Sequence, residues 1–298
     1  MSTPFFGKLM TAMVTPFDDN GEIDLKQTKV LARKLVNEGS DAILVTGTTG
    51  ESPTLSHEED LLLYATVLDE VGKNVKVIAG TGSNSTHTTI KYTKMAEKIG
   101  VHGAMIVVPY YNKPSQDGLF AHYTKIAENT ELPLIIYNIP GRTGINMLPE
   151  TVAKIVEANP KYIAIKEASG NIDQMEEIIN LIKQKDFTLY SGDDGLTLDA
   201  LKIGGKGVCS VASHLVGRDI QLMISAFNIK DFKTAEAINE KLKALFSVLF
   251  ITSNPSPVKA ALNMTGLKVG GTRLPLVPVN SEQENKIKAV LKTLGLVS

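Results

Sequence analysis

Eight short apolar segments, each followed by a stretch of helical periodicity, predict an α/β fold: a (β/α)8 barrel with a C-terminal helical appendage. Two further observations support that choice. The nearest approach to a dinucleotide fingerprint, Gly80-Thr81-Gly82-Ser83-Asn84, lacks the third glycine and follows the third strand, which weakens the alternative of an open doubly wound sheet. Beyond about Asp231 the pattern changes to helices alone, dividing the chain into a barrel over residues 1–230 and a helical region over 231–298.

Taken in order, residues 9–14 read as the first strand, stopped by Pro16. Asp24 caps a helix in which Leu31/Leu35 and Ala32/Val36 recur at helical spacing, and Gly39 ends it. Residues 42–45 are the second strand, followed by Thr46-Gly47-Thr48-Thr49-Gly50-Glu51-Ser52. Ser56-His57-Glu58-Glu59 opens the next helix as a capping box, and Gly72 closes it. The third strand covers 75–79, with a helix over 86–99 stopping at Gly100. The fourth, 104–108, runs into Pro109-Tyr110-Tyr111-Asn112-Lys113-Pro114. After a helix through Phe120 and Ile126, residues 134–138 form the fifth strand, ending in the turn Ile139-Pro140-Gly141-Arg142-Thr143-Gly144. Pro149 begins a helix to Asn159, in the first turn, where its missing N–H costs little.

The sixth strand lies in Tyr162-Ile163-Ala164-Ile165-Lys166-Glu167. A helix over about 172–183, a strand over 187–190, Ser191-Gly192-Asp193-Asp194-Gly195, a helix to 203 and a strand over 207–211 complete the barrel. The appendage has helices over 232–249, 257–264 and 282–294, with Asn254-Pro255-Ser256-Pro257 as the turn between the first two.

Composition bounds the function. The chain has 298 residues, 43% hydrophobic and 21% charged, with net charge −1. No basic run offers an electrostatic footprint for nucleic acid or an anionic membrane. No apolar run is long enough to span a bilayer, and the first ten residues hold no signal-peptide core. The single cysteine, Cys209, cannot form an internal disulfide, and no Cys/His cluster has metal-ligand spacing. The expectation is a cytoplasmic protein without a metal.

The sixth strand carries the chemistry. Strict alternation puts Tyr162, Ala164 and Lys166 on one face and Ile163, Ile165 and Glu167 on the other. A strand apolar on both faces belongs in a parallel sheet covered by helices. Its lysine either reaches out to water or stays inside with a lowered pKa, and a buried, readily neutralised lysine is the usual amine nucleophile for a carbonyl. In a barrel, the residues just after each strand converge on one face. There the sequence places Thr48, Thr49, Tyr111, Tyr137, Arg142, Lys166 and Gly192. Together they supply an imine-forming amine, hydroxyls to relay protons and a guanidinium to hold a carboxylate. Singly, each has a plainer reading: Tyr137 a core aromatic, Thr48-Thr49-Gly50 loop chemistry, Arg142 a solvated charge, Tyr110-Tyr111 a subunit contact.

Several motifs resemble the signatures of dihydrodipicolinate synthase: Gly47-Thr48-Thr49-Gly50-Glu51, Pro109-Tyr110-Tyr111-Asn112-Lys113-Pro114, Tyr137-Asn138-Ile139-Pro140-Gly141-Arg142-Thr143-Gly144 and Lys166-Glu167-Ala168-Ser169-Gly170. Ser191-Gly192-Asp193-Asp194 is similar to a later motif, and the match runs from Gly7 through the C-terminal helices. The first loop and the lysine belong to the wider N-acetylneuraminate lyase superfamily. The tyrosine pair with Asn-Lys-Pro, together with the arginine, points to the synthase.

The resemblance implies condensation of pyruvate with L-aspartate 4-semialdehyde, on the route to diaminopimelate and lysine. Lys166 would form the imine, Tyr137 would be its acid/base, and Thr48 and Tyr111 would complete a proton relay, Tyr111 coming from the neighbouring subunit. Thr48 and Thr49 would bind the pyruvate carboxylate and Arg142 that of the aldehyde, with Gly192 and Cys209 also in the substrate site. No cofactor is implied beyond the covalent imine. The implied assembly is a homotetramer, a dimer of dimers.

Regulation is one departure. Lysine-inhibited members use residues matched here by Ser52, His57, Asn84 and Tyr110, but Asp60 and Thr88 replace a histidine and a glutamate. Weak or absent lysine feedback is therefore expected, and Pro53, where a small residue is usual, points the same way. Two other readings stay open on the sequence. A related aldolase for another 2-oxo acid would keep Lys166 and Tyr137 without needing both Arg142 and Tyr111; a non-catalytic metabolite-binding barrel should lack the lysine or the tyrosine.

Overall fold

A computed structural model of the chain describes residues 3–298. Its strands are β1 (Leu9–Ala12), β2 (Ala42–Val45), β3 (Lys76–Gly80), β4 (Gly103–Val107), β5 (Leu134–Asn138), β6 (Tyr162–Glu167), β7 (Thr188–Ser191) and β8 (Gly207–Ser210). They pair in parallel and in sequence order, and β8 returns to β1, closing the predicted barrel. The helices are α1 (Leu25–Asn37), α2 (His57–Val71), α3 (Thr86–Ile99), α4 (Gln116–Ala127), α5 (Pro140–Thr143), α6 (Pro149–Ala158), α7 (Ile172–Leu181), α8 (Thr197–Lys202), α9 (Ser213–Asn228), α10 (Phe232–Val248), α11 (Ser256–Met264) and α12 (Ser281–Thr293).

The local signals work as expected. Asp24 accepts the N–H of Gln27 at 2.8 Å, and Ser56 and Glu59 form the reciprocal capping box that opens α2. Two readings change. Pro140-Gly141-Arg142-Thr143 closes into a single helical turn, and α11 takes in Ser256, one residue ahead of the expected start at Pro257. Both follow from proline's fixed φ, which suits the first turn of a helix as well as a loop.

Strand alternation produces two cores. Met10, Leu44, Ile78, Met105, Ile135, Tyr137, Ala164, Tyr190 and Cys209 fill the barrel interior. Leu9, Ile43, Val77, Ile136, Ile165 and Val208 face the helical layer. Tyr162 breaks the expected alternation. Leu134 pairs with Tyr162 but Ile135 with Ala164, so Ile163 is an extra residue in β6. This bulge turns Tyr162 outward, where its hydroxyl donates to the Tyr123 carbonyl at 2.7 Å, while Ala164 remains inside. The register then resumes and sets Lys166 beside Tyr137.

The outer core continues into the last helices, with Leu242, Leu245, Leu262 and Ile287 in the cluster that holds Ile220 and Leu31. Among the described residues no helix is long and apolar enough to cross a membrane.

Candidate active site

Lys166 and Tyr137 are neighbours across the β5–β6 ladder, each only 6% exposed. The Lys166 amine lies 4.4 Å from the centre of the Tyr137 ring and close to the buried Cys209 thiol. Burial pulls the ammonium down, but Cys209, Tyr137 and Asp194 outweigh it and hold Lys166 above its ordinary pKa. That corrects the expectation of a lowered value: the lysine is buried and keeps its proton. Before it can attack a carbonyl, a neighbouring base must take that proton. Burial also pushes the Cys209 thiol up.

Two polar residues that the sequence reading passed over stand behind this pair. Asn138 Nδ2 donates to Glu167 Oε2 at 3.0 Å and to Asn146 Oδ1 at 2.8 Å, and Glu167 Oε1 accepts the Ser169 N–H at 2.7 Å. Since Asn138 and Glu167 each follow a site residue on adjacent strands, this clamp fixes the register in which Tyr137 meets Lys166. Their signal was a fully polar residue on the outer face of a buried strand, which demands partners. Asp194 is the third addition. Its Oδ2 accepts the N–H groups of Val211 and Ala212 at 3.0 and 2.9 Å, tying the loop after β7 to the end of β8.

Thr48, Tyr137 and Arg142 line one cavity of about 690 Å³. Arg142 is exposed at its rim, presented by α5, and Thr48 is half-buried. Thr49, the next residue, is buried, and its hydroxyl accepts from Asn254 Nδ2 at 2.9 Å. Gly192 packs against β6, donating its N–H to the Glu167 carbonyl at 2.8 Å. A Cβ there would stand 2.5 Å from that of Ala168, so the close approach requires glycine.

Tyr111 is the predicted site residue that the single chain does not bring in. It is 89% exposed, with φ +73°. The same cavity extends to Ser52, His57, Asp60, Asn84, Thr88 and Tyr110. There Asp60, 7% exposed, lies 3.6 Å from His57 Nδ1, and burial pushes its carboxyl up to about 7.

The model of the dihydrodipicolinate synthetase family matches residues 5–294. The chain belongs to this family. It is 53% identical over 292 residues to the 4-hydroxy-tetrahydrodipicolinate synthase of Desulforudis audaxviator, covering 98% of this chain and 99% of that one. The crystal structure of dihydrodipicolinate synthase from Bacillus anthracis superposes with a TM-score of 0.94 at 48% identity, covering 97% of this chain and 99% of that one. The Cyanidioschyzon merolae enzyme with lysine bound gives 0.97 at 47%, covering 99% and 100%. Full-length agreement of this kind selects the synthase among the three readings that the sequence left open.

Proposed function

We infer that the chain is a 4-hydroxy-tetrahydrodipicolinate synthase, a Schiff-base aldolase-type lyase that condenses pyruvate with L-aspartate 4-semialdehyde in diaminopimelate and lysine biosynthesis. The observation that carries the mechanism is the buried amine of Lys166, facing Tyr137 at the end of β6 beside a cavity that Thr48 and Arg142 also line.

Tyr137 or its relay takes a proton from the Lys166 ammonium, and the free amine adds to the pyruvate ketone. Water leaves from the carbinolamine, giving an iminium whose positive nitrogen makes loss of a methyl proton feasible. The resulting enamine carbon attacks the aldehyde carbon of the semialdehyde, and the aldehyde oxygen gains a proton as the C–C bond forms. The semialdehyde's amino group then adds to the iminium carbon on Lys166, closing the ring, and its proton passes to the Lys166 amine as that amine departs. Tyr137 is the acid/base, with Thr48 and Tyr111 as the relay. The 89% exposure of Tyr111 and its left-handed backbone support a phenol offered to a second copy of the chain. Thr48 and Thr49 hold the pyruvate carboxylate and Arg142 that of the semialdehyde, while Gly192 and Cys209 complete the substrate site. The imine is the electron sink, so no separate cofactor enters. The assembly is a homotetramer, a dimer of dimers, working in the cytoplasm.

The test is condensation of the two substrates, coupled to a dihydrodipicolinate reductase and followed by loss of NADPH. Turnover that disappears in Lys166→Ala is the expected result. No turnover, with a borohydride-trapped pyruvate adduct on Lys166, would mean a different aldehyde. No adduct would overturn the imine mechanism.

A further inference from the structure

We propose that Asn254, in the connection between α10 and α11, is a positioning residue that orients the Thr49 hydroxyl toward the pyruvate carboxylate. The inference rests on the reading of Thr49 as a carboxylate-binding residue. Asn254 reaches the site from the C-terminal region, 205 residues away in sequence, and its Nδ2 donates to Thr49 Oγ1 at 2.9 Å. Both side chains are more than nine-tenths buried, Asn254 at 5% and Thr49 at 3% exposure.

A threonine hydroxyl has one proton to give and two lone pairs to accept with. Left to itself, the Thr49 hydroxyl could satisfy its burial in either sense. Occupied by the Asn254 N–H, its oxygen is already an acceptor, and the remaining O–H is free to donate. A substrate carboxylate, which only accepts, needs that donor. The other end of the amide strengthens the argument. Asn254 Oδ1 is buried with no hydrogen-bond partner among the described residues. An unsatisfied buried carbonyl is unfavourable, so a purely packing role would be served better by an apolar side chain. What the amide contributes at this position is its N–H toward Thr49.

The same loop is held immediately after Thr49. Thr15 donates to the Gly50 carbonyl at 2.6 Å, and Glu51 takes the Lys259 ammonium at 2.6 Å and the Arg273 N–H at 3.0 Å. With the backbone fixed by these bonds, Asn254 sets the remaining freedom, the direction of one proton. The C-terminal region thereby reaches the Thr49 hydroxyl itself through one hydrogen bond.

Asparagine can be replaced by a near-isostere of opposite hydrogen-bonding sense. In Asn254→Asp the carboxylate can only accept, so Thr49 turns its proton away from the substrate. Steady-state kinetics in both substrates and thermal melts of Asn254→Ala, Asn254→Asp, Thr49→Val and Thr49→Val/Asn254→Ala test the proposal. The pyruvate KM should rise about tenfold in Asn254→Ala and further in Asn254→Asp, with the semialdehyde KM and kcat within about twofold of the parent. In the Thr49→Val background, Asn254→Ala should change the pyruvate KM by less than about twofold, because the hydroxyl it orients is gone. An unchanged pyruvate KM in both single variants, an equal rise in both KM values, or the same factor with and without the Thr49 hydroxyl would each overturn it. Borohydride trapping of pyruvate on the parent separates the two levels. Failure there removes the imine reading itself; success there with any of those kinetic outcomes removes only the role of Asn254.

Discussion

Among the described residues two lysines are buried, and they have opposite surroundings. Lys166 and Lys259 are 6% and 2% exposed, and each amine sits over an aromatic ring, at 4.4 Å from Tyr137 and 4.1 Å from Phe17. Lys259 also donates to Glu51 Oε1 at 2.6 Å and to the Gly271 carbonyl at 2.5 Å, while Arg273 closes the far side of Glu51. Lys166 has the Cys209 thiol beside it and, among the described residues, no carboxylate in a salt bridge. Basicity does not sort the two by role. Burial brings Lys259 down to about 8 despite its carboxylate, whereas Lys166 is held above the ordinary value. What distinguishes them is what binds the nitrogen. An ammonium locked between a carboxylate and a carbonyl is a cross-link; one held by a thiol and the face of a phenol can give up its proton and form a new bond.

The largest effect separates the two amines directly. Lys166→Ala should lower kcat on the order of ten-thousandfold and abolish the borohydride-trapped adduct, with the fold intact by circular dichroism. Peptide mapping of the parent should place the adduct on Lys166 alone. An adduct on Lys259 would break the comparison.

Next, Lys259→Met should leave Glu51, itself 1% exposed, without its cation, and destabilise the fold by about 3–5 kcal/mol in denaturant unfolding. Adding Glu51→Gln should recover part of that loss, since the uncompensated charge is then gone. No recovery would assign the loss to packing of the lysine stem.

Tyr137→Phe keeps the ring over Lys166 and deletes the hydroxyl. A fall in kcat of about a hundredfold to a thousandfold, with imine trapping slowed but present, is expected if the phenol moves protons. A change below threefold would leave Tyr137 as a packing surface, as Phe17 is for Lys259.

The same pair shows what a sequence can and cannot reveal. Lys166 and Tyr137 are legible because each ends an apolar strand in a repeating strand–helix pattern, where a polar residue needs a reason. Lys259 sits between Val258 and Ala260 in an amphipathic helix, where a lysine reads as solvent-facing, and its partner lies 208 residues earlier. Asn254 is hidden for the same reason, because its meaning is a tertiary contact; Asn138 and Glu167 stand beside Tyr137 and Lys166 at the strand ends, and only their partners are hidden. The β6 bulge escaped as well: one extra residue leaves the composition of Tyr162–Glu167 unchanged while turning Tyr162 to the outer core.

Asp60 is another buried ionisable group, without a cation as close as that of Glu51. Its carboxyl is raised from 3.8 to about 7, chiefly by burial. Between those values the folded state holds a proton that the unfolded state has lost, so stability falls as pH rises toward 7 and levels off above it. Asp60→Asn removes this dependence. Its Tm advantage over the parent should therefore grow by a few degrees between pH 5 and pH 8; a constant difference would mean that Asp60 titrates normally.

The smallest expected effect is that of free L-lysine. The Lys259 site shows what an enclosed ammonium requires here: a carboxylate within hydrogen-bond reach, a carbonyl and an aromatic face. The outer end of the cavity offers Tyr92 and Tyr110, but Thr88 provides no charge. Asp60 is the carboxylate there; it already faces His57 at 3.6 Å, and burial raises its carboxyl to about 7. An incoming amine would have to displace His57 and force out the proton that burial favours, so its affinity is spent before a net contact is gained. Sub-millimolar lysine should leave the condensation rate unchanged at pH 7. Inhibition in that range, abolished by Asp60→Asn, would show instead that Asp60 supplies the missing carboxylate and that a second ammonium site shares the cavity with Lys166's chemistry.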